Sequence, residues 1–304
     1  MLRPADGMSQ ARVRTIGVLD AGDPDPMLAE LRAGLSALGH VEGKTYRLEI
    51  HSGANVPAAL RRHADDLVRL KVDVLLVRLT PPLRAAMAAT SSIPIVMAAV
   101  GSPVESGLIA SLGRPGGNVT GMSLGGIQLT GKRLQLMRQL IPGLRRLALV
   151  AIAADAYADL YMSGAAQVGR ELGLEVTQIK LAGVHELPTA IAAIERERPD
   201  AIHTMANLPL DAVPQLSLNS RVPLFPTQRN AVEAGGLMSY GGRLEEQYRG
   251  AAAYIDKILK GADPASLAVE EPSHYELVIN MRTAKALGLS VPGLLLAQAD
   301  KIIE

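Results

Sequence analysis

The sequence predicts an α/β protein of two doubly wound lobes with parallel sheets. Three observations carry that expectation. From Val13 onward, short continuously apolar runs alternate with segments of helical period, as strands covered by helices on both faces require. The alternation restarts near residue 127 with a second set of similar size. The length of 304 residues suits one large or two medium domains, and a composition 48% hydrophobic supplies the area for a large core.

RTIGVLD (14–20) reads as a strand ending in a polar residue. Met27, Leu31, Leu35 and Leu38 fall on one face of a helix over 26–38. YRLEI (46–50) is the second strand, and Pro57 opens a helix over 57–70. VDVLLV (72–77) precedes a helix from Pro81 to Thr90. IPIVMA (93–98) precedes a short helix after Pro103, and NVTGMS (118–123) is the fifth strand. The second set begins with a helix over 127–140. RLALVAI (146–152) and LEVTQIK (174–180) are strands followed by helices over 158–172 and 186–196. DAIHTMA (200–206), VPLFP (222–226) and GLMSY (236–240) are further strands, with a helix over 211–219 after the first of them. A long helix over 244–260 follows, and ELVINMRTAKALGL (276–289) reads as strand then helix.

Ligands of such sheets sit beyond the carboxyl ends of strands, where polar loops meet helix N-termini. Two facing lobes bring those loops to one cleft. In RLTPP (78–82), Thr80 is expected as N-cap and Pro81 as first helical residue, aiming free backbone N–H groups and a hydroxyl at a carboxylate. GSPV (101–104) repeats the arrangement with Ser102 and Pro103. Arg78, at a strand end, is placed to grip an anion bidentately. Arg229 begins a helix, where positive charge opposes the helix dipole and hints at a task elsewhere. Tyr157, Asn207 and Tyr240 stand at strand ends where they can stack on or hydrogen-bond a ligand. Each has a plainer reading: an ordinary capped helix for Thr80, a surface ion pair for Arg78, a solvated arginine for Arg229, hinge packing for Tyr240.

Several chemistries find no support. ASLGRPGGNVTGMS (110–123) lacks GxGxxG, and Lys132 belongs to GKR rather than GK[ST]. The stretch also precedes a strand where a phosphate loop follows one. It reads instead as a turn into a strand, with Gly116, Gly117 and Gly121 permitting the bend. With no cysteine, thiolate catalysis, disulfides, zinc thiolates and iron–sulfur clusters are excluded. The six histidines form no HxH or HxxxH pair, so neither a metal nor a cofactor is expected. A net charge of +1, no tryptophan and the single Phe225 argue against a nucleic-acid partner. Asp20, Asp23 and Asp25 share a loop without an assignable base, and Ser123 and Ser239 lack a GxSxG elbow. No apolar run is long enough to span a membrane. The opening MLRPADGMSQARVR has no apolar middle of a signal peptide, which leaves a cytoplasmic chain or one that begins after a removed leader. The first ten residues are expected as a disordered tail.

Longer blocks are distinctive together: LGHVEGKTYRLEI, LVRLKVDVLLV, TSSIPIVMAAVGSPVESGLIASLGRPGGNVTGMS, VEAGGLMSYG and AAAYIDKILKGADPASLAVEEPSHYELVINMRTAKALGLSVP. From about Thr15 to the C-terminus the chain resembles the ABC transporter substrate-binding family that includes tryptophan- and tyrosine-binding members. The resemblance implies a type I periplasmic-binding-protein fold, two Rossmann-like lobes joined by three crossovers. It implies lobes of 11–122 plus 242–267 and of 123–241 plus 268–304. It implies a non-enzymatic, periplasmic or membrane-anchored protein that hands a small solute to a membrane permease. By position, Thr80, Ser102, Ser123, Asn207 and Arg229 fall in the loops that line the family's cleft. The chain departs from the family pattern in carrying Arg78 and Leu79 before the Thr-Pro pair, where small residues are common, and in reading MANLPL without the aspartate of amino-acid binders. These departures point to a carboxylate ligand without an α-ammonium, an aromatic or small organic acid, unless Asp20 or Asp155 supplies the missing charge. Two alternatives stand beside transport: a cytosolic sensor of the same fold, and a two-lobed isomerase or racemase. The thirteen residues before the first strand are expected to be too few for a helix-turn-helix head.

Overall fold

The structure is a computed structural model that describes residues 12–53, 56–153, 156–205 and 208–304. The expected tail at 1–10 lies outside the described residues. Among those described, the strands form three sheets. The first is wholly parallel, in the order β2-β1-β3-β4-β5, from β1 (Arg14–Asp20), β2 (Tyr46–Ser52), β3 (Val74–Arg78), β4 (Ile95–Val100) and β5 (Val119–Ser123). Helices α1 (Asp25–Ala37), α2 (Pro57–Arg69) and α3 (Thr80–Ala89) connect its first strands. After α4 (Gln128–Leu140) comes a second parallel sheet in the order β7-β6-β8-β9. Its elements are β6 (Arg146–Ile152), α5 (Ala156–Glu171), β7 (Glu175–Leu181), α6 (Leu187–Glu197), β8 (Ala201–Thr204), α7 (Ala212–Pro214), β9 (Leu224–Pro226) and α8 (Arg229–Glu233). The chain ends with β10 (Met238–Gly242), α9 (Leu244–Leu259), β11 (Tyr275–Asn280), α10 (Met281–Ala286), α11 (Gly293–Gln298) and β12 (Lys301–Ile303). Here β11 pairs antiparallel with β10 and parallel with β12.

The central strands are apolar throughout because both faces are covered. Every residue of β4 is buried, whereas the edge strands β2 and β7 are mostly half-buried or exposed. On one face of the first sheet Leu60, Leu67, Leu75, Val77 and Leu83 pack together. On the other, Ile16, Val18, Leu31, Leu35, Val74 and Leu76 pack with Tyr248, Ala251, Ala252 and Ile255 of α9. Helix α9 thus belongs spatially to the first sheet although it follows the second in sequence. Gly34 makes the close α1–α9 approach possible, since a Cβ there would lie 2.8 Å from that of Ala252.

The chain runs between the two larger sheets along neighbouring paths. Ser123 N–H donates to the Glu270 carbonyl at 2.8 Å, and Glu270 N–H to that of Gly121 at 3.1 Å. The Tyr240 and Tyr275 rings lie 5.9 Å apart. Gly121 has φ 126, and a Cβ there would lie 2.3 Å from the Met97 carbonyl oxygen, so no other residue fits between β4 and β5.

Three readings of the sequence need correction. The helix expected after Pro103 does not form; Ser102 (φ 41) and Gly107 (φ 66) leave right-handed geometry, and the segment is a run of turns. The strand expected from Val72 begins at Val74. Asp73 instead turns its carboxylate back to accept from Thr15 N–H (2.7 Å) and Arg14 (2.9 Å). The helix expected over 211–219 is one α-turn that widens into a π-turn over 215–219.

Candidate functional site

A cavity of about 480 Å³, mouth included, opens between the carboxyl ends of the two parallel sheets. The first sheet contributes Leu79, Thr80, Ala99 and Gly101. The passage between sheets contributes Leu124, Gly125 and Gly126. The second contributes Arg133, Tyr157, Tyr161, Met205, Thr227 and Gln228. The lining, an apolar enclosure with a few polar groups, is of the kind that holds small organic molecules.

Arg133 is the charged residue of that lining. It stands on α4 among Leu129, Leu136, Met137 and Leu140, and only 7% of it is exposed. Its Nε donates to the Tyr240 carbonyl at 2.8 Å. Among the described residues no carboxylate forms an ion pair with it, and no acidic residue lines the cavity. A buried guanidinium without a counter-ion is costly, and an anion entering the cavity removes that cost.

Behind it lies a buried polar chain. The Tyr161 hydroxyl bonds His203 Nε2, and His203 Nδ1 stands 2.5 Å from the Phe225 carbonyl oxygen. The carbonyl can only accept, so Nδ1 carries the proton and Nε2 accepts from tyrosine. Burial, aided by the charge of Arg133, drives the His203 pKa down to about 3. Burial pushes the Tyr161 hydroxyl up, against the opposing pull of Arg133. Both groups are therefore neutral at pH 7. The native state refuses a proton that the unfolded state accepts below about pH 6.5, so stability falls on acidification towards pH 3. Melting curves between pH 7 and 4 are expected to show a His203 contribution on the order of 1 kcal/mol per pH unit. The His203→Gln variant loses that part of the slope, and equal slopes in the two proteins would contradict the assignment.

Three non-glycine residues with positive φ cluster at this end of the first sheet: Leu79 (φ 68), Ala99 (φ 57) and Ser102 (φ 41). Each such residue costs on the order of 1–3 kcal/mol, a cost that concentrates at functional sites. Ser102 Oγ lies 3.5 Å from the Tyr157 hydroxyl, which reaches it from the second sheet. Gly101 gives that ring room, since a Cβ there would meet Tyr157 Cε1 at 2.6 Å. Elements of both sheets therefore touch directly at the cavity.

Of the residues expected from sequence, Thr80 and Tyr157 line the cavity, and Ser102 stands next to it. Leu79, not Thr80, is the residue before the α3 N-terminus, and the Thr80 side chain makes no cap. Pro81 and Pro82 have no N–H, and Leu83 N–H reaches the Leu79 carbonyl, so the expected fan of free N–H groups is missing. Ser102 likewise caps no helix. Arg78 is held by Asp20: its Nε and Nη2 each lie 2.5 Å from a carboxylate oxygen, with Asp20 buried and Arg78 nearly so. Ser123 Oγ accepts from Gly125 N–H at 3.1 Å and shapes the wall from behind. Arg229 pairs with Glu233 (2.9 Å) and faces Glu276 (3.9 Å) away from the cavity lining. Tyr240 offers its carbonyl to Arg133 and lines a smaller neighbouring cavity. Asn207 and Asp155 lie outside the described residues. Sequence reasoning missed Arg133, Tyr161, Met205, Thr227 and Gln228. The signal for Arg133 was present, a basic residue on the apolar stripe of its helix.

A family model described as ABC transporter substrate binding protein matches residues 24–303. A tyrosine-binding protein of Clostridioides difficile (strain R20291) is 25% identical over 254 residues, 83% of this chain and 73% of the relative. The crystal structure of a conserved domain protein from Vibrio cholerae is 26% identical, with a TM-score of 0.88 over 96% of this chain and 100% of that one. An ABC domain from Streptococcus pneumonia, solved with L-Trp, is 23% identical with a TM-score of 0.89 over 96% and 100% of the two chains.

Proposed function

The chain belongs to the ABC transporter substrate binding protein family, and from that premise we propose that it is the solute-binding component of an importer, taking a small aromatic carboxylate in the cavity between its sheets. It works outside the cytoplasmic membrane, performs no chemistry on the solute and delivers it to a membrane permease. The observation that carries this reading is Arg133, a buried guanidinium without an ion-pair partner among the described residues, in a lining whose described residues include two tyrosines and no acid. The carboxylate pairs with Arg133, while Thr227 Oγ1, buried and unpartnered, and Gln228 serve its remaining lone pairs. The ring rests among Tyr157, Leu79, Leu124 and Met205. A ligand that touches both sheets binds the closed form better than the open one and draws the protein into it.

Relatives that bind tyrosine or hold tryptophan support an aromatic solute. An amino acid also carries an ammonium, for which the described lining offers no carboxylate. Calorimetry of the purified protein against tyrosine, phenylalanine and their deaminated hydroxy- and keto-acids tests the reading. The acids are expected to bind at least about tenfold tighter, worth about 1.4 kcal/mol. Tight binding of the amino acids with none of the acids would refute it.

A further inference from the structure

One side chain in the cavity wall is held against the preference of its own backbone. Leu79 has φ 68 and ψ 171, a conformation open to glycine and strained for any side chain. It is 9% exposed, yet it belongs to none of the four apolar clusters that fill the faces of the sheets. It directly follows β3, and its N–H donates to the Ala98 carbonyl at 3.3 Å. That places it beside Ala99, the other strained residue of the lining. The wall therefore sets a large side chain next to a very small one. Leucine here is buried against the wall itself rather than in the core of either sheet face, and its side chain borders the cavity.

We propose that Leu79 sets the ring size of the solute, filling the space that a second fused ring would need, so that the site takes a single-ring aromatic in preference to a bicyclic one. The inference rests on the cavity being an aromatic-solute site, but it concerns the ring end and is independent of the head group.

Leu79→Gly and Leu79→Ala test it by calorimetry with 4-hydroxyphenyllactate and indole-3-lactate, and with tyrosine and tryptophan as the same ring pair on an amino-acid head. The wild type is expected to prefer the single ring at least tenfold within whichever pair binds. Both variants are expected to shift that ratio at least tenfold towards the bicyclic ligand. Leu79→Gly is expected to melt no lower than Leu79→Ala, because glycine alone tolerates this backbone. A wild type that prefers the bicyclic ligand, or a ratio unchanged in both variants, overturns the inference while leaving the cavity reading intact. A glycine variant that melts below the alanine variant overturns the strain on which it stands. Binding of the amino acids alone sinks only the acid reading. A wild type that binds neither pair ends the reading of the cavity and this inference with it.

Discussion

Arg133→Met is expected to lose about 2–5 kcal/mol of affinity for an anionic solute, a fall of about 30-fold to several thousand-fold. The methionine keeps much of the volume of the arginine stem and removes the charge. Most buried arginines destabilise a protein when removed, because a carboxylate is left alone. Arg133 has no such partner among the described residues, so the free protein loses hydrogen bonds to the Tyr240 carbonyl and the Tyr161 hydroxyl rather than an ion pair. It also sheds the desolvation cost of a solitary charge. The melting temperature of the ligand-free variant is therefore expected to stay within a few degrees of wild type. Calorimetry against the acid panel, with scanning calorimetry of the free protein, reads both quantities. Undiminished acid binding would remove Arg133 from the site. A collapse in stability would make its role structural.

Arg78→Ala is expected to do the reverse. Its guanidinium forms two 2.5 Å contacts to Asp20, which is 2% exposed. Removing one partner of a buried pair leaves the other charge uncompensated and costs about 3–5 kcal/mol, a drop in melting temperature on the order of 10 °C for a chain of this size. Among the described residues, Asp20 then keeps only the Gly22 N–H at 2.7 Å. Replacing both residues, as Asp20→Asn with Arg78→Met, is expected to recover a large part of the loss, since no bare charge remains. Solute affinity is expected to change little, because Arg78 does not line the cavity. A variant of native stability with lost affinity would restore Arg78 to the anion-binding role that its position at a strand end suggested.

These two arginines show what was legible in the sequence and what was not. Continuous apolar runs such as VLLV and IVMAAV placed the central strands within a residue or two, because burial on both faces leaves a one-dimensional trace. The rule that ligands sit beyond strand ends placed the loops, and Thr80 and Tyr157 do line the cavity. Side-chain partnership leaves no such trace. The carboxylate that occupies Arg78 comes from 58 residues earlier, and only the parallel register of β1 and β3 brings the two together. Arg133 lies within a helix rather than in a loop, and its helix needed no arginine to be recognised. The capping expected at Thr80 failed for a local reason: two prolines in the first turn removed the donors that a cap would have organised.

The position of α9 has a consequence for biosynthesis. The sheet face bearing Ile16, Val18, Val74 and Leu76 finds its cover in a helix that ends at Leu259. Translation at roughly 5–20 residues per second delivers that cover some seconds to tens of seconds after the fifth strand has left the ribosome. During that interval α1 alone covers this face, and the part that α9 will bury stays open to solvent and to other chains, as it would not in a contiguous arrangement of the same elements.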